Sequence, residues 1–180
     1  MRAPVCLEQA LQIVDRGDTS ALIDLARTVD RRVAIADKAE SLLGRAGRAL
    51  ARAASGARAR VSSTDPLDRA LVMIAMAARE LESIDPAIAD ALDHNALHVP
   101  TRVYADDYRA IREAARQVAA RVELARAHLH HRIAELRWLQ EGLASALDSE
   151  RRRADLSGAR RRGDGEITHR PRRTARFSVT

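Results

Sequence analysis

Apolar residues recur every three or four positions over most of the first 150 residues, which is the period of a helix buried along one face. After Asp18 the pattern repeats at intervals of seven, through Leu22, Val29, Ala36, Leu43, Leu50 and Ala57, with Leu25, Ala39, Ala46 and Ala53 as a companion row. It predicts a long helix over residues 19–57. Only the apolar pattern is broken, at Arg32. Gly44 and Gly47 each weaken such a helix by about 1 kcal/mol relative to Ala, so we expect another backbone to approach closely there.

A second long pattern covers residues 101–150 without a proline. Its apolar positions are Tyr104, Tyr108, Ile111, Ala115, Val118, Val122, Ala125, Leu129, Ile133, Leu136, Leu143 and Leu147. A helix of this length spans about 75 Å, which is long for a globular domain. We therefore expect it to pair antiparallel with the helix over residues 19–57.

Shorter segments complete the predicted domain. A helix over residues 4–15 precedes Gly17, and two Asp-Pro pairs begin helices over residues 65–84 and 86–93. In each pair the aspartate can cap the helix and the proline occupies its first turn. The sequence therefore predicts an all-α fold: residues 1–150 form an elongated three- to four-helix bundle whose two long helices are coiled-coil-like.

Charge divides the chain into two parts. Residues 1–150 carry 21 Arg and Lys against 22 acids, whereas residues 151–180 carry ten Arg against three acids. Glycines and Pro171 interrupt the arginines, so we expect a disordered basic tail. Clustered arginines can neutralise nucleic-acid phosphates, although an acidic protein, an anionic membrane surface or plain solubilisation would also suit them. The candidate polyanion-binding residues are Arg151, Arg152, Arg153, Arg160, Arg161, Arg162, Arg172 and Arg173.

The second long helix carries another face, distinct from its apolar stripe. Leu124, His128, His131, Glu135 and Trp138 advance along it by alternating steps of four and three. Three interpretations are open: a solvent face, a contact face centred on Trp138, or a metal site at the two histidines and the glutamate. Tryptophan is enriched at interface hot spots. For assembly the pattern favours Leu129, Leu136, Trp138, Leu139 and Leu143.

Motifs for catalysis are not recognisable in the sequence. Cys6 is the only cysteine, so an intramolecular disulfide and a cysteine zinc site are excluded. The glycines do not form a phosphate-binding loop after a strand. The apolar segments are shorter than the roughly 20 residues of a membrane span, and we recognise no secretory signal. We expect a cytoplasmic protein, or a nuclear one in a eukaryotic cell, without enzymatic activity, cofactor or bound metal.

These observations favour a helical adaptor or scaffold. Its heptad faces would mediate self-association or binding of a partner helix, and its tail would bind nucleic acid or another polyanion. One alternative is a virion, phage or secretion-system protein with a structural or chaperone-like role, whose main partner is another protein. The other, less favoured, is a metal-dependent enzyme that uses His128, His131 and Glu135.

Overall fold

A computed structural model describes Gln12 and residues 18–55, 65–93 and 108–164, with only the backbone for Asp65, Tyr108 and residues 158–164. Of these residues 94% are helical and none forms a strand, which confirms the all-α class. The four helices are α1 (Thr19–Ser55), α2 (Asp65–Leu81), α3 (Pro86–Ala91) and α4 (Tyr108–Asp164). No helix within these ranges has the combination of length and apolar character needed to cross a membrane. The helix predicted over residues 4–15 falls almost wholly outside the described residues.

Aspartate side chains cap two of the helices. Asp18 Oδ1 accepts a hydrogen bond from the Ala21 backbone N–H at 3.0 Å, at the start of α1. Asp85 accepts from the N–H groups of Ala87 and Ile88, and the proline that follows it occupies the first turn of α3. These contacts satisfy backbone donors that have no partner inside a helix. The start of α3 predicted from its Asp-Pro pair is therefore confirmed.

Helix α1 packs extensively against both α4 and α2, while α3 makes smaller contacts with α2 and α4. Polar contacts give the direction of the α1–α4 pair. Gln140 donates to Asp30 at 2.8 Å, and Arg126 donates to Glu40 at 3.0 Å. Residue numbers rise along α1 as they fall along α4, so the two helices are antiparallel.

The core lies where these helices meet and consists of alanine and branched aliphatic side chains. Its members on α1 include Val29, Ala36, Ala39, Leu43, Ala46 and Leu50, and those on α4 include Val118, Val122, Leu129 and Leu136. From α2 come Leu67, Ala70, Ile74, Ala77 and Leu81, and from α3 Ile88 and Ala89. Alanine at facing positions lets the helices approach closely, while each fully buried leucine contributes about 1.5–3 kcal/mol.

Helix α4 continues to Asp164, well past its predicted end at Glu150. Arginine, alanine and leucine, which dominate residues 151–162, are among the better helix formers. Local contacts support the extension: Arg153 pairs with Glu150 at 2.6 Å, and Arg152 Nε donates to the carbonyl oxygen of Asp148 at 3.2 Å. The predicted boundary at residue 150 therefore does not coincide with the end of the helix.

The glycines of α1 do not mark a close backbone approach, contrary to the sequence prediction. A Cβ on Gly44 would lie 3.9 Å from the guanidinium nitrogens of Arg126 and Arg48, and a Cβ on Gly47 would lie 3.5 Å from Glu123 Oε1. These distances are ordinary van der Waals contacts with flexible side chains. Both positions therefore have room for a methyl group.

Gly44→Ala is expected to raise the free energy of unfolding by about 1 kcal/mol, because alanine costs less conformational entropy in a helix interior. Gly142→Ala on α4 is the matched comparison, since a Cβ there would meet no atom within 4 Å. Urea denaturation of both variants measures the effect. A Gly44→Ala protein less stable than the wild type would contradict this account of the α1 surface.

Candidate interaction surface on the long helix

The inward side of α4 carries four of the five residues predicted for assembly. Leu129 and Leu136 are fully buried, and Leu139 and Leu143 are also buried in the core. Their stripe faces α1 of the same chain, so it is not available to a partner while the fold is intact. The heptad pattern identified an apolar face correctly, but the partner of that face is an intramolecular helix.

The outward side of α4 is a second stripe that the other described helices leave uncovered. Leu124 and Trp138 are 62% and 61% exposed, although both are large apolar side chains. We define the outer face as the exposed residues Ala120, Leu124, Ala127, His131, Ala134 and Trp138. Large exposed apolar side chains in one row are typical of an interaction surface. Trp138 is therefore the one predicted assembly residue that the fold presents to solvent.

A groove of about 750 Å³ separates α3 from the middle of α4, beside the outer face. Ile88 and Ala91 of α3 face Leu124 and Ala125 of α4 across it. Charged and polar side chains also line it, namely Asp85, Arg121, His128, His131, Arg132 and Glu135. Most of its lining is hydrocarbon, which suits an apolar side chain inserted from outside.

One histidine beside this groove pairs with a carboxylate on its own helix. His131 Nε2 lies 3.2 Å from Glu135 Oε1, one helical turn away, and both side chains are exposed. Within the described residues, no three His, Cys, Asp or Glu side chains are grouped so that they could hold a metal ion. A histidine–carboxylate pair on a helix surface is an ordinary i,i+4 contact.

A half-buried ion-pair cluster joins α1 to α4. Glu40 Oε1 accepts from Arg126 Nη2 at 3.0 Å and lies 3.4 Å from His130 Nε2, while Arg126 also binds Glu123 at 3.0 Å. The hydrogen bond from Arg126 lowers the pKa of the Glu40 carboxyl, and the same bond raises the pKa of Arg126. The cluster therefore fixes the axial register of the two long helices.

Arg32, which interrupts the heptad of α1, is buried with 8% of its surface exposed. Burial, and then the positive charge of Arg132 on α4, lower the pKa of its guanidinium group. Arg132 is stabilised by Glu135 at 2.6 Å. The break in the apolar pattern thus lies inside the α1–α4 interface, where the long hydrocarbon stem of arginine can pack.

The predicted polyanion-binding arginines fall into three groups. Arg151, Arg152 and Arg153 are exposed on α4, and Arg151 and Arg153 pair locally with acids one turn earlier. Arg160, Arg161 and Arg162 belong to the same helix, for which only the backbone is described there. Arg172 and Arg173 lie outside the described residues. Sequence reasoning missed that six of these arginines share one helix with the outer face.

Comparison with known proteins gives no further assignment. The chain matches no protein-family model, no curated protein and no solved structure.

Leu136→Ala and Trp138→Ala are expected to change the free energy of unfolding by different amounts, because the two side chains lie on opposite sides of α4. Removing the buried leucine side chain leaves a cavity and should lower the free energy of unfolding by about 2–5 kcal/mol. Removing the exposed indole from a monomer should change it by less than about 1 kcal/mol. Urea denaturation at low protein concentration measures both. A large loss for Trp138→Ala would contradict the placement of the outer face.

Glu40→Gln is expected to lower the free energy of unfolding by about 1–2 kcal/mol at pH 7, because it removes a charge-assisted hydrogen bond between helices. Folding lowers the Glu40 pKa below its ordinary value of 4.5, so its contribution is complete above that value. The contribution is lost as the pH falls through the lower folded pKa. The difference between variant and wild type should therefore shrink as the pH falls below about 4.5.

Glu113→Gln is the matched control for this measurement. Glu113 is exposed, and within the described residues its polar contacts are with its own helix, through Arg116 at 3.9 Å and Gln117 at 3.2 Å. Chemical denaturation of both variants across the same pH range separates the interhelical contribution from a general loss of negative charge. An equal effect of the two substitutions would contradict the role assigned to Glu40.

Proposed function

We propose that the protein is a non-enzymatic helical scaffold that binds nucleic acid or another polyanion through the C-terminal extension of α4. One observation carries the proposal: residues 151–157 are all exposed, on every side of a continuing helix. This segment includes the exposed Leu156, and it packs against no core within the described residues. Its arginines are therefore free to contact an external partner.

The charge of the extension supports a polyanionic partner. Residues 151–164 hold six arginines and two aspartates, a formal net charge of +4 on about 20 Å of helix. The Arg151–Asp148 and Arg153–Glu150 pairs are exposed, and such pairs contribute roughly 0–1 kcal/mol. Phosphate oxygens can replace these carboxylates, since guanidinium groups form bidentate bonds with phosphate. Contacts of this kind bind without regard to base sequence.

The body acts as the scaffold in this proposal. We propose that α1 to α4 form an elongated bundle in which α1 and α4 pair as in a coiled coil, and that a further helix or a second copy docks on the outer face. Two observations support this arrangement: the antiparallel order of the polar contacts between α1 and α4, and the alanine-rich core between these helices. We place the protein in the cytoplasm, where a single unpaired cysteine is usual.

The outer face also favours a second candidate. An exposed Trp138 beside a largely apolar groove is a feature of proteins whose main partner is another protein. A structural or chaperone-like protein of a virion, phage or secretion system fits this feature, and in it the arginines would only add solubility. This candidate requires that loss of the arginines leaves partner binding intact.

Replacing Arg151, Arg152 and Arg153 with glutamine is expected to weaken binding of random duplex DNA and of RNA by at least about tenfold at low salt. Each phosphate contact contributes about 0.9 to the magnitude of the negative slope of log K against log salt. The magnitude of the slope should therefore decrease by about 2–3. Fluorescence anisotropy across a salt series measures both quantities on the full-length protein. Glutamine also favours helix, so circular dichroism should not change.

The matched control replaces three exposed arginines of α1, namely Arg31, Arg45 and Arg52, with glutamine. It changes the net charge equally but leaves α4 intact, so the slope should stay near that of the wild type. Two results would contradict the proposal: no binding by the wild type at low salt, and an equal loss in both triple variants.

A further inference from the structure

We propose that the outer face of α4 is the seam of an antiparallel homodimer, so that its partner is a second copy of this chain. The inference deepens the proposed function, since it names the partner, the surface and the register of self-association. It rests on the order of large and small side chains along the face and on the charges that flank it.

The outer face has the spacing of a helix–helix seam. Its residues follow one another by steps of four and three from Ala120 to Trp138, which spans about 27 Å of helix. Large side chains alternate with alanine along this row: Leu124, His131 and Trp138 are separated by Ala127 and Ala134. All six residues of the outer face are exposed, so no described helix has to be displaced from the seam.

This order is self-complementary when a second helix runs antiparallel. In an antiparallel pair of helices, the large side chains of one copy face the alanine positions of the other copy. One register places Trp138 against Ala120 of the second copy, and the same register places Leu124 against Ala134 and His131 against Ala127. Each large side chain thus meets a methyl group. A two-fold axis repeats every contact, as in isologous dimers.

The flanking charges agree with the same register. On one side of the seam Arg121 lies opposite Glu135 of the second copy, and on the other side Glu123 lies opposite Arg137. Arg121 has no ion pair within the described part of the chain, whereas Glu135 is shared by Arg132 and His131. All four side chains belong to exposed residues; Glu123 also pairs with Arg126, and Arg137 pairs with Asp37 of α1 at 3.0 Å, so contacts across the seam are shared with these pairs or replace them. Opposite charges meet at these two pairs of flanking positions, which favours this orientation over others.

The groove beside α3 accommodates the second helix. Arg121 and Glu135 line both the groove and one edge of the seam, so a helix on the outer face lies next to Ile88 and Ala91. Its side chains can fill the apolar lining that the monomer leaves open.

The dimer would carry its two arginine extensions at opposite ends. In the proposed register Arg151 of one copy lies near the start of α4 of the other, so the two extensions begin about 65 Å apart. One dimer could therefore contact two separate segments of a polyanion, which raises its apparent affinity through multivalency.

Sedimentation equilibrium of the full-length protein without nucleic acid tests the proposal. The wild type should show a reversible monomer–dimer equilibrium. Arg121→Glu and Glu135→Arg should each weaken dimerisation at least about tenfold, because each places like charges in contact at two symmetric sites. The double variant restores opposite charges in this register alone, so its dissociation constant should return to within about threefold of the wild type.

Two further variants complete the design. Ala127→Glu places a carboxylate in the seam at an exposed position that tolerates it in the monomer, and it should abolish the dimer. Arg112→Glu changes an exposed charge on the same helix outside the seam and should leave the dissociation constant unchanged. Circular dichroism checks that every variant keeps its helicity.

A wild-type protein that stays monomeric at all concentrations, a dimer insensitive to Ala127→Glu, or a double variant without recovery would overturn the proposal. Each of these results leaves the salt-dependent binding of nucleic acid untouched, because that property is measured on the arginine variants. The failure of the dimer and the failure of the polyanion-binding function can thus be told apart.

Discussion

The antiparallel packing of α1 against α4 is the constraint on which the rest of the structure depends. Apolar stripes on α1 and on α4 as far as Leu143 meet, and many of the buried positions are alanines. Because a stripe covers only part of the circumference of a helix, α4 must turn its opposite side to solvent. The same contact that builds the core therefore exposes the outer face with Leu124 and Trp138.

Half of this arrangement follows from the sequence alone. The seven-residue repeat predicts both long helices, and the Asp85-Pro86 pair predicts the start of α3, since period and capping are local properties. Leu129 and Leu136 were expected in an assembly interface because a heptad does not specify whether its partner belongs to the same chain. The glycines of α1 were misinterpreted for a similar reason: the nature of their neighbours depends on tertiary packing.

Other features depend on contacts between distant residues, which the sequence does not reveal. The Glu40–Arg126 hydrogen bond requires the axial register of α1 on α4, and the groove beside α3 requires the turn after α2. The extension of α4 to Asp164 reflects helix propensity in a segment whose charge had suggested disorder. Its consequence is that one helix links the core, the outer face and the first two arginine clusters.

The fluorescence of Trp138 tests the central claim most directly, because Trp138 is the only tryptophan and lies on the outer face. The account predicts that in dilute wild-type protein the indole emits as in water and is quenched freely by acrylamide. Emission shifted to shorter wavelength and protection from acrylamide, in protein shown to be monomeric, would contradict it. In that case α4 would not turn this side to solvent, and the division of the helix into a buried and an exposed face would be wrong.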